Sequence, residues 1–161
     1  SDTPSPTGLQ SPRFPRRTRP MRARTRATAF ASRNSRNHSS NGNRPSRVRY
    51  NLGWIYNDLE RYADAANHLS QAVQLKPEYV EAHTELGFAY LKLNRLPPAE
   101  ASLQNAIRLK PEYALAHYYL GLVFIQQRNK LGAQEQYRIL QRLDPKKAQQ
   151  LFDAAPPNMR Y

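Results

Sequence analysis

From Ser46 onward, large apolar side chains return every three or four residues, the spacing that lines one face of an α-helix. Polar residues and turn formers interrupt the pattern at regular intervals. The spacing predicts helices over about 47–59, 62–75, 80–93, 96–109, 114–127 and 130–143, and a shorter one over about 146–154. Pro77, Pro111 and Pro145 each follow a helical run, where the missing N–H and fixed φ stop a helix. Pro97 and Pro98 fall in the first turn of the run 96–109, where an N–H would have no helical partner anyway. Asn94 suits the left-handed residue that closes a helix. Glu60 and Arg128 hold the equivalent places with less suitable side chains, which predicts looser turns there.

These helices copy one another. Leu-Gly-x-x-aromatic occurs at Leu52-Gly53 with Tyr56, at Leu86-Gly87 with Tyr90 and at Leu120-Gly121 with Phe124, each 34 residues after the last. The same step links Ala65, Ala99 and Ala133, then Leu69, Leu103 and Tyr137, and also Lys76-Pro77-Glu78-Tyr79 with Lys110-Pro111-Glu112-Tyr113. Such a period marks stacked helical hairpins, which serve mostly as surfaces for other chains. Glycine inside a helix costs about 1 kcal/mol relative to alanine, so its recurrence needs a packing reason. The expectation is that Gly53, Gly87 and Gly121 let the second helix of each pair come close, meeting Ala65, Ala99 and Ala133. Tyr56, Tyr90 and Phe124 would fill the space between helices, with Leu69, Leu103 and Tyr137 opposite.

Residues from about 46 to 147 resemble three tandem tetratricopeptide repeats. The likeness rests on the glycine–aromatic signature, the central alanine, the large residue four later, Ala72 and Ala106, and the terminal proline. Leu140 departs from the pattern where a second small residue is usual, and Arg49 where a large apolar one is. The resemblance implies an all-α fold, an α-solenoid wound as a right-handed superhelix, with helix-turn-helix repeats at 46–79, 80–113 and 114–147. Residues 148–161 would form a C-terminal cap helix and tail, Leu151 and Phe152 covering the last repeat while Lys146, Lys147 and Gln149 face water. The Ala148–Phe152 ending resembles those of bacterial members.

The resemblance also implies a concave groove lined by the first helix of each repeat. Trp54, Phe88 and Leu122, each directly after its glycine, would point into it. Tyr50, Thr84 and Tyr118 lie one turn earlier, with Asn51, Glu85 and Tyr119 beside them. Aromatic side chains dominate interface energies, so this face would hold a partner peptide or helix with apolar side chains. The competing reading is that some of these residues pack between repeats or against an amino-terminal segment. Family members that grip a carboxylate tail use a clamp of Lys, Asn and Arg. Here Tyr50, Trp54, Glu85, Leu115 and Tyr119 stand at those places, so the clamp is absent, although Asn51 matches a position that can bond ligand backbone.

Charge modifies this picture only at one end. The chain carries 25 basic and 12 acidic side chains, yet twelve arginines and a single acid, Asp2, lie in residues 1–49. Residues 1–45 have too few large apolar side chains to offset an ordering cost of about 1–2 kcal/mol per residue, so an Arg/Pro/Ser-rich disordered tail is expected. Ordered chain should begin near Tyr50. The tail admits three readings: an out-of-frame or inert segment, a nucleic-acid arm through residues 13–49, and a transit peptide from Met21 to Ser40. The chain opens on Ser1, as a processed product or fragment would.

Chemistry is not evident. The chain has no cysteine, no Gly-rich phosphate loop and no nucleophile with a base nearby. His83 and His117 stand 34 apart in the first turn of consecutive repeats, which makes them packing positions rather than metal ligands. No run reaches the length of a membrane span. The reading is thus a non-enzymatic scaffold or adaptor with no cofactor or metal, cytoplasmic, with a protein or peptide partner. The alternatives are a nucleic-acid-associated adaptor using the tail and a fragment of a larger enzyme such as a glycosyltransferase.

Overall fold

A computed structural model of the protein describes residues 43–160. Among the described residues there are seven α-helices and no strand. Helices α1 (Arg44–Asp58) and α2 (Tyr62–Leu75) form the first pair, α3 (Val80–Lys92) and α4 (Leu96–Leu109) the second, and α5 (Ala114–Gln126) and α6 (Lys130–Leu143) the third. Helix α7 (Pro145–Ala154) and a 3-10 turn (Pro157–Met159) follow. The second helix of each pair packs on the first helix of the next, so α2 meets α3 and α4 meets α5. This is the all-α solenoid of helical hairpins with a C-terminal cap. The tail expectations for residues 1–42 lie outside the described residues.

Helix α1 begins at Arg44, earlier than the sequence pattern suggests, so Arg44 and Pro45 belong to its first turn rather than to the tail. Pro45 presets φ where no helical N–H is needed, and the Ser46 hydroxyl donates to the Asn43 carbonyl at 3.0 Å. Pro97 and Pro98 sit in the first turn of α4, as the sequence implied.

Each pair closes through one turn geometry. Glu60, Asn94 and Arg128 have φ of 59°, 57° and 59°. In all three turns the N–H of the next residue reaches back to the signature aromatic: Arg61 to Tyr56 at 2.9 Å, Arg95 to Tyr90 at 2.9 Å and Asn129 to Phe124 at 2.8 Å. A second bond closes each loop, from Glu60 to Asn57, Asn94 to Leu91 and Arg128 to Ile125, at 3.0–3.1 Å. Both bonds together make the Schellman closure. The turns at Glu60 and Arg128 are therefore no looser than the one at Asn94; the two residues bear the left-handed conformation instead, which costs about 1–2 kcal/mol for a side chain with Cβ. Arg128→Gly should remove that strain and stabilise the fold by about 1 kcal/mol, read as a rise in the urea midpoint at unchanged slope. A lower midpoint would contradict the strain.

The turns between pairs are tied by histidine. His83 Nε2 lies 2.8 Å from the Pro77 carbonyl, and His117 Nε2 lies 2.7 Å from the Pro111 carbonyl. The buried His117 also reaches Gln136 Oε1 through Nδ1 at 2.7 Å, joining α5 to α6. Lys76 and Lys110 lie over the rings of Tyr79 and Tyr113 in the same turns, at 5.1 and 5.3 Å.

The core is built from small residues and leucine. Ala65, Ala99 and Ala133 are fully buried, as are Leu69, Leu103, Leu140 and Leu151. The glycines have a different partner from the alanines expected. A Cβ placed on Gly87 would lie 2.5 Å from Leu103 Cγ, and Leu69 crowds Gly53 in the same way. The third pair breaks the rule, because Tyr137 replaces the leucine and lies half-buried with its ring 6.0 Å from Phe152. Leu151 of α7 takes the empty place against Gly121, where an added Cβ would lie 2.5 Å from Leu151 Cδ2.

Helix α7 starts where α6 stops. The Asp144 carboxylate accepts from the Lys146 and Lys147 N–H groups at 3.1 and 3.2 Å and pairs with Lys147 Nζ at 2.6 Å. Those bonds to Lys147 hold the Asp144 carboxyl below its ordinary range. Beyond α7 the chain turns back, and Ala155 and Met159 bury themselves with Ala133 beside Phe124 and Ile125. Phe152 is only half-buried, with Arg160 over its ring at 5.5 Å.

Candidate functional site

Helices α1, α3 and α5 neighbour one another, so the first helices of successive pairs share one face of the stack. The 34-residue repeat places equivalent side chains of these helices in rows along that face. Nine residues were expected there, and the structure sorts them into three groups.

Phe88, Tyr118, Tyr119 and Leu122 come together around one pocket of about 330 Å³. The Phe88 and Tyr119 rings stack with centroids 4.9 Å apart, and Tyr118 lies 5.6 Å from Tyr119. Tyr62 of α2 meets Phe88 edge-on at 6.0 Å. All four pocket residues remain partly open. Packing from two sides fixes their orientation: Leu122 touches both the α4–α5 cluster and the α6–α7 cluster, while Tyr118 touches the latter.

Tyr50, Asn51, Trp54 and Glu85 lie toward the first pair. Tyr50 packs on Tyr79 at 4.9 Å. Burial pushes the Tyr50 hydroxyl well above its usual pKa, and the Glu85 carboxylate adds to the shift. Burial and the nearby Glu81 push Tyr79 up to about 12. Glu85 is held by the buried Asn57, whose Nδ2 donates to the Glu85 carbonyl at 3.1 Å and to its Oε2 at 3.0 Å. The Oδ1 atoms of Asn51 and Asn57 are buried without a hydrogen-bond partner. Trp54 is half-buried and stands outside the Phe88 pocket.

Thr84 leaves the set. It is fully buried, and its hydroxyl donates to the Val80 carbonyl one turn back at 2.9 Å. Position 84 turns into the stack because α3 has neighbours on more sides than a two-layer picture allows.

Four lining residues, Leu91, Lys92, Ile125 and Gln126, escaped the pattern reading although helical spacing carried the signal. Lys92 follows Phe88 by four residues, with Nζ 5.5 Å from the Phe88 ring centroid, and Ile125 follows Leu122 by three. Ala154 also lines the pocket, but it arrives from α7, and no local spacing links it to α3 or α5. Among the described residues no group of three or more His, Asp or Glu side chains is arranged to hold a metal, and no helix is long and apolar enough to cross a membrane. Of the basic segment 13–49, only Arg44, Arg47 and Arg49 lie among the described residues, Arg44 exposed and the other two half-buried.

A stack of short antiparallel helix pairs, each opened by a glycine–aromatic signature and closed by a Schellman turn, defines a helical-repeat domain with a side-chain-lined face. Family profiles for "TPR repeat" and "Tetratricopeptide repeat" match residues 53–94 and 84–148. Over those two spans the chain matches models of the tetratricopeptide repeat. Solved structures agree on the fold. The Arabidopsis OM64 TPR domain matches with a TM-score of 0.66 at 18% identity, over 68% of this chain and 93% of that one. The first TPR of Spaghetti (RPAP3), bound to the HSP90 peptide SRMEEVD, matches with a TM-score of 0.65 at 20% identity, over 69% and 90%. The TPR2B domain of yeast Sti1, in a pHsp70 complex, matches with a TM-score of 0.64 at 19% identity, over 71% and 96%. No curated protein matches the chain.

Proposed function

We infer that this protein is a non-enzymatic interaction module of three repeats, at 46–79, 80–113 and 114–147, whose α3–α5 face holds a peptide with apolar or aromatic side chains. One observation carries the reading. The Phe88–Tyr119 stack, with Tyr118 and Leu122, leaves a partly open aromatic pocket on the face shared by the first helices. Partly desolvated aromatic pockets are where binding energy concentrates. Tyr50 and Trp54 extend the same face toward the first pair. Two of the similar structures are complexes, the Spaghetti (RPAP3) repeat with the HSP90 peptide SRMEEVD and the Sti1 TPR2B domain with pHsp70, which supports a peptide as the class of partner.

The occupant differs from a carboxylate-ended tail. Glu85 stands where a cationic or amide side chain would be needed, and Asn57 holds its carboxylate at that place. A free carboxylate there would meet like charge in a partly buried setting. Side-chain anchors in the Phe88 pocket, rather than the peptide's terminal charge, would supply the affinity.

The test uses peptides selected from a random display library on the full chain, measured by calorimetry. Selected peptides should carry a large apolar residue, lose at least about tenfold in affinity with Phe88→Ala, and bind unchanged when the C-terminus is amidated. Circular dichroism melts check that the variant is folded. Equal binding by a folded Phe88→Ala variant would sink the proposal, and so would loss of binding on amidation.

A further inference from the structure

The two ends of the stack are treated differently. At the C-terminal end α7 covers the third pair and Leu151 is fully buried. At the other end α1 presents an apolar stripe to solvent: Val48 is 51% exposed, Ile55 40% and Leu59 56%, with the half-buried Leu52 between them. These residues recur at four-, three- and four-residue steps, so they lie on one side of the helix.

The 34-residue step shows what this side is for. Val48 and Ile55 correspond to Ala82 and Ala89 in α3 and to Ala116 and Val123 in α5, all 0% exposed. Leu52 corresponds to Leu86 and Leu120, at 5% and 4%. In those helices the side is covered by the preceding helix. Leu86 and Ala89 cluster with Ala65, Ala66 and Leu69 of α2, and Ala116, Leu120 and Val123 with Ala99, Leu103 and Ala106 of α4. The exposed stripe on α1 is therefore a helix-packing surface.

Residues 1–42 show no helical spacing of large apolar side chains that would match this stripe. The large apolar side chains of residues 1–42 are Leu9, Phe14, Met21 and Phe30, no two of them three or four apart. The stripe also differs from its interior copies in size. Alanines at 82, 89 and 116 admit a close neighbour, whereas Val48 and Ile55 would hold that neighbour off and suit an interdigitating partner with branched side chains of its own.

Charge selects the partner and its direction. Arg44, Arg47 and Arg49 lie at the start of α1, and Asp58 and Glu60 at its end. Arg61 at that end is engaged by Asp64 at 2.7 Å. An antiparallel second copy of α1 would set Val48 against the partner's Leu59, Leu52 against its Ile55, and the exposed Arg44 toward its Glu60, while Arg49 is turned to His68 Nδ1 of α2 at 3.4 Å. A parallel copy would set arginines against arginines. We propose that α1 is a self-association surface, through which two copies of this chain pair antiparallel about a two-fold axis near residues 53 and 54. A stripe of four side chains is small beside stable dimer interfaces, so the pairing is concentration-dependent rather than obligate.

Analytical ultracentrifugation of the full chain across micromolar to submillimolar concentrations tests this. The wild type should move from monomer to dimer, and Ile55→Glu/Leu59→Glu, both at exposed positions, should stay monomeric with unchanged helical circular dichroism. A wild type that stays monomeric, or a double variant that still pairs, overturns the proposal. Direction is read by disulfide formation, which the absence of native cysteine makes clean. Residue 55 lies about 4–5 Å along the axis from its copy, and residue 48 about 16–17 Å, at 1.5 Å rise per residue. Ile55→Cys should cross-link and Val48→Cys should not; the reverse result overturns the antiparallel arrangement.

Discussion

Tyr90→Ala is expected to destabilise the protein by about 3–5 kcal/mol and to lower its melting temperature by about 10 °C or more. Tyr90 is the aromatic of the middle signature, and its ring packs against both the α2–α3 cluster and the α4–α5 cluster. Its carbonyl also closes the α3–α4 turn by accepting from Arg95 at 2.9 Å. Truncation removes the ring from two packing layers at once and leaves a space that neighbouring helices cannot fill without moving. The loss is a large part of the 5–15 kcal/mol that a domain of this size ordinarily has. In a repeat stack each pair is supported by its neighbours, so failure in the middle should spread to both ends. A thermal melt followed at the helical circular dichroism band checks this, and a wild-type midpoint would remove Tyr90 from the core.

Leu151→Ala is the second large effect, expected at about 2–5 kcal/mol. Leu151 is fully buried, with its methyl groups over Gly121, and it anchors α7 together with Ala148 and Leu140. Removing it opens a cavity beneath the cap and exposes the end of the third pair, so α7 should lose hydrogen-exchange protection before the rest of the stack does. Leu143→Ala is a useful contrast, because that leucine is 36% exposed and should cost far less. Equal losses for the two variants would mean that α7 does not cap the stack as described.

Much of the fold is legible along the chain, because its rules are local and repeated. The 34-residue step, the glycine before each aromatic and the prolines after each helical run place six paired helices within a few residues of their observed bounds. Two local expectations failed for reasons that local rules do not contain. Glu60 and Arg128 adopt the left-handed turn as tightly as Asn94 because the hairpin geometry demands it, and packing between the helices outweighs a strain of about 1–2 kcal/mol. The alanines expected opposite the glycines are buried, but at Gly53 and Gly87 the leucines four residues further on occupy the space, since a glycine opening admits a branched side chain of that length.

The candidate face was legible in part. Phe88 and Leu122 follow directly after their glycines and Tyr118 and Tyr119 lie about one turn earlier, and the structure gathers all four around one pocket. Thr84 was misplaced, because a helix with neighbours on several sides buries positions that a one-face pattern leaves open. By itself the sequence determined the helices, their pairing and the residue classes of each layer, since these depend on spacing within about forty residues. Only the tertiary structure decided that Leu151 replaces Tyr137 over Gly121, that Ala154 joins the pocket, and that α1 keeps an uncovered stripe. Each of those depends on which helix ends up beside which, a relation between distant segments that no periodicity along the chain encodes.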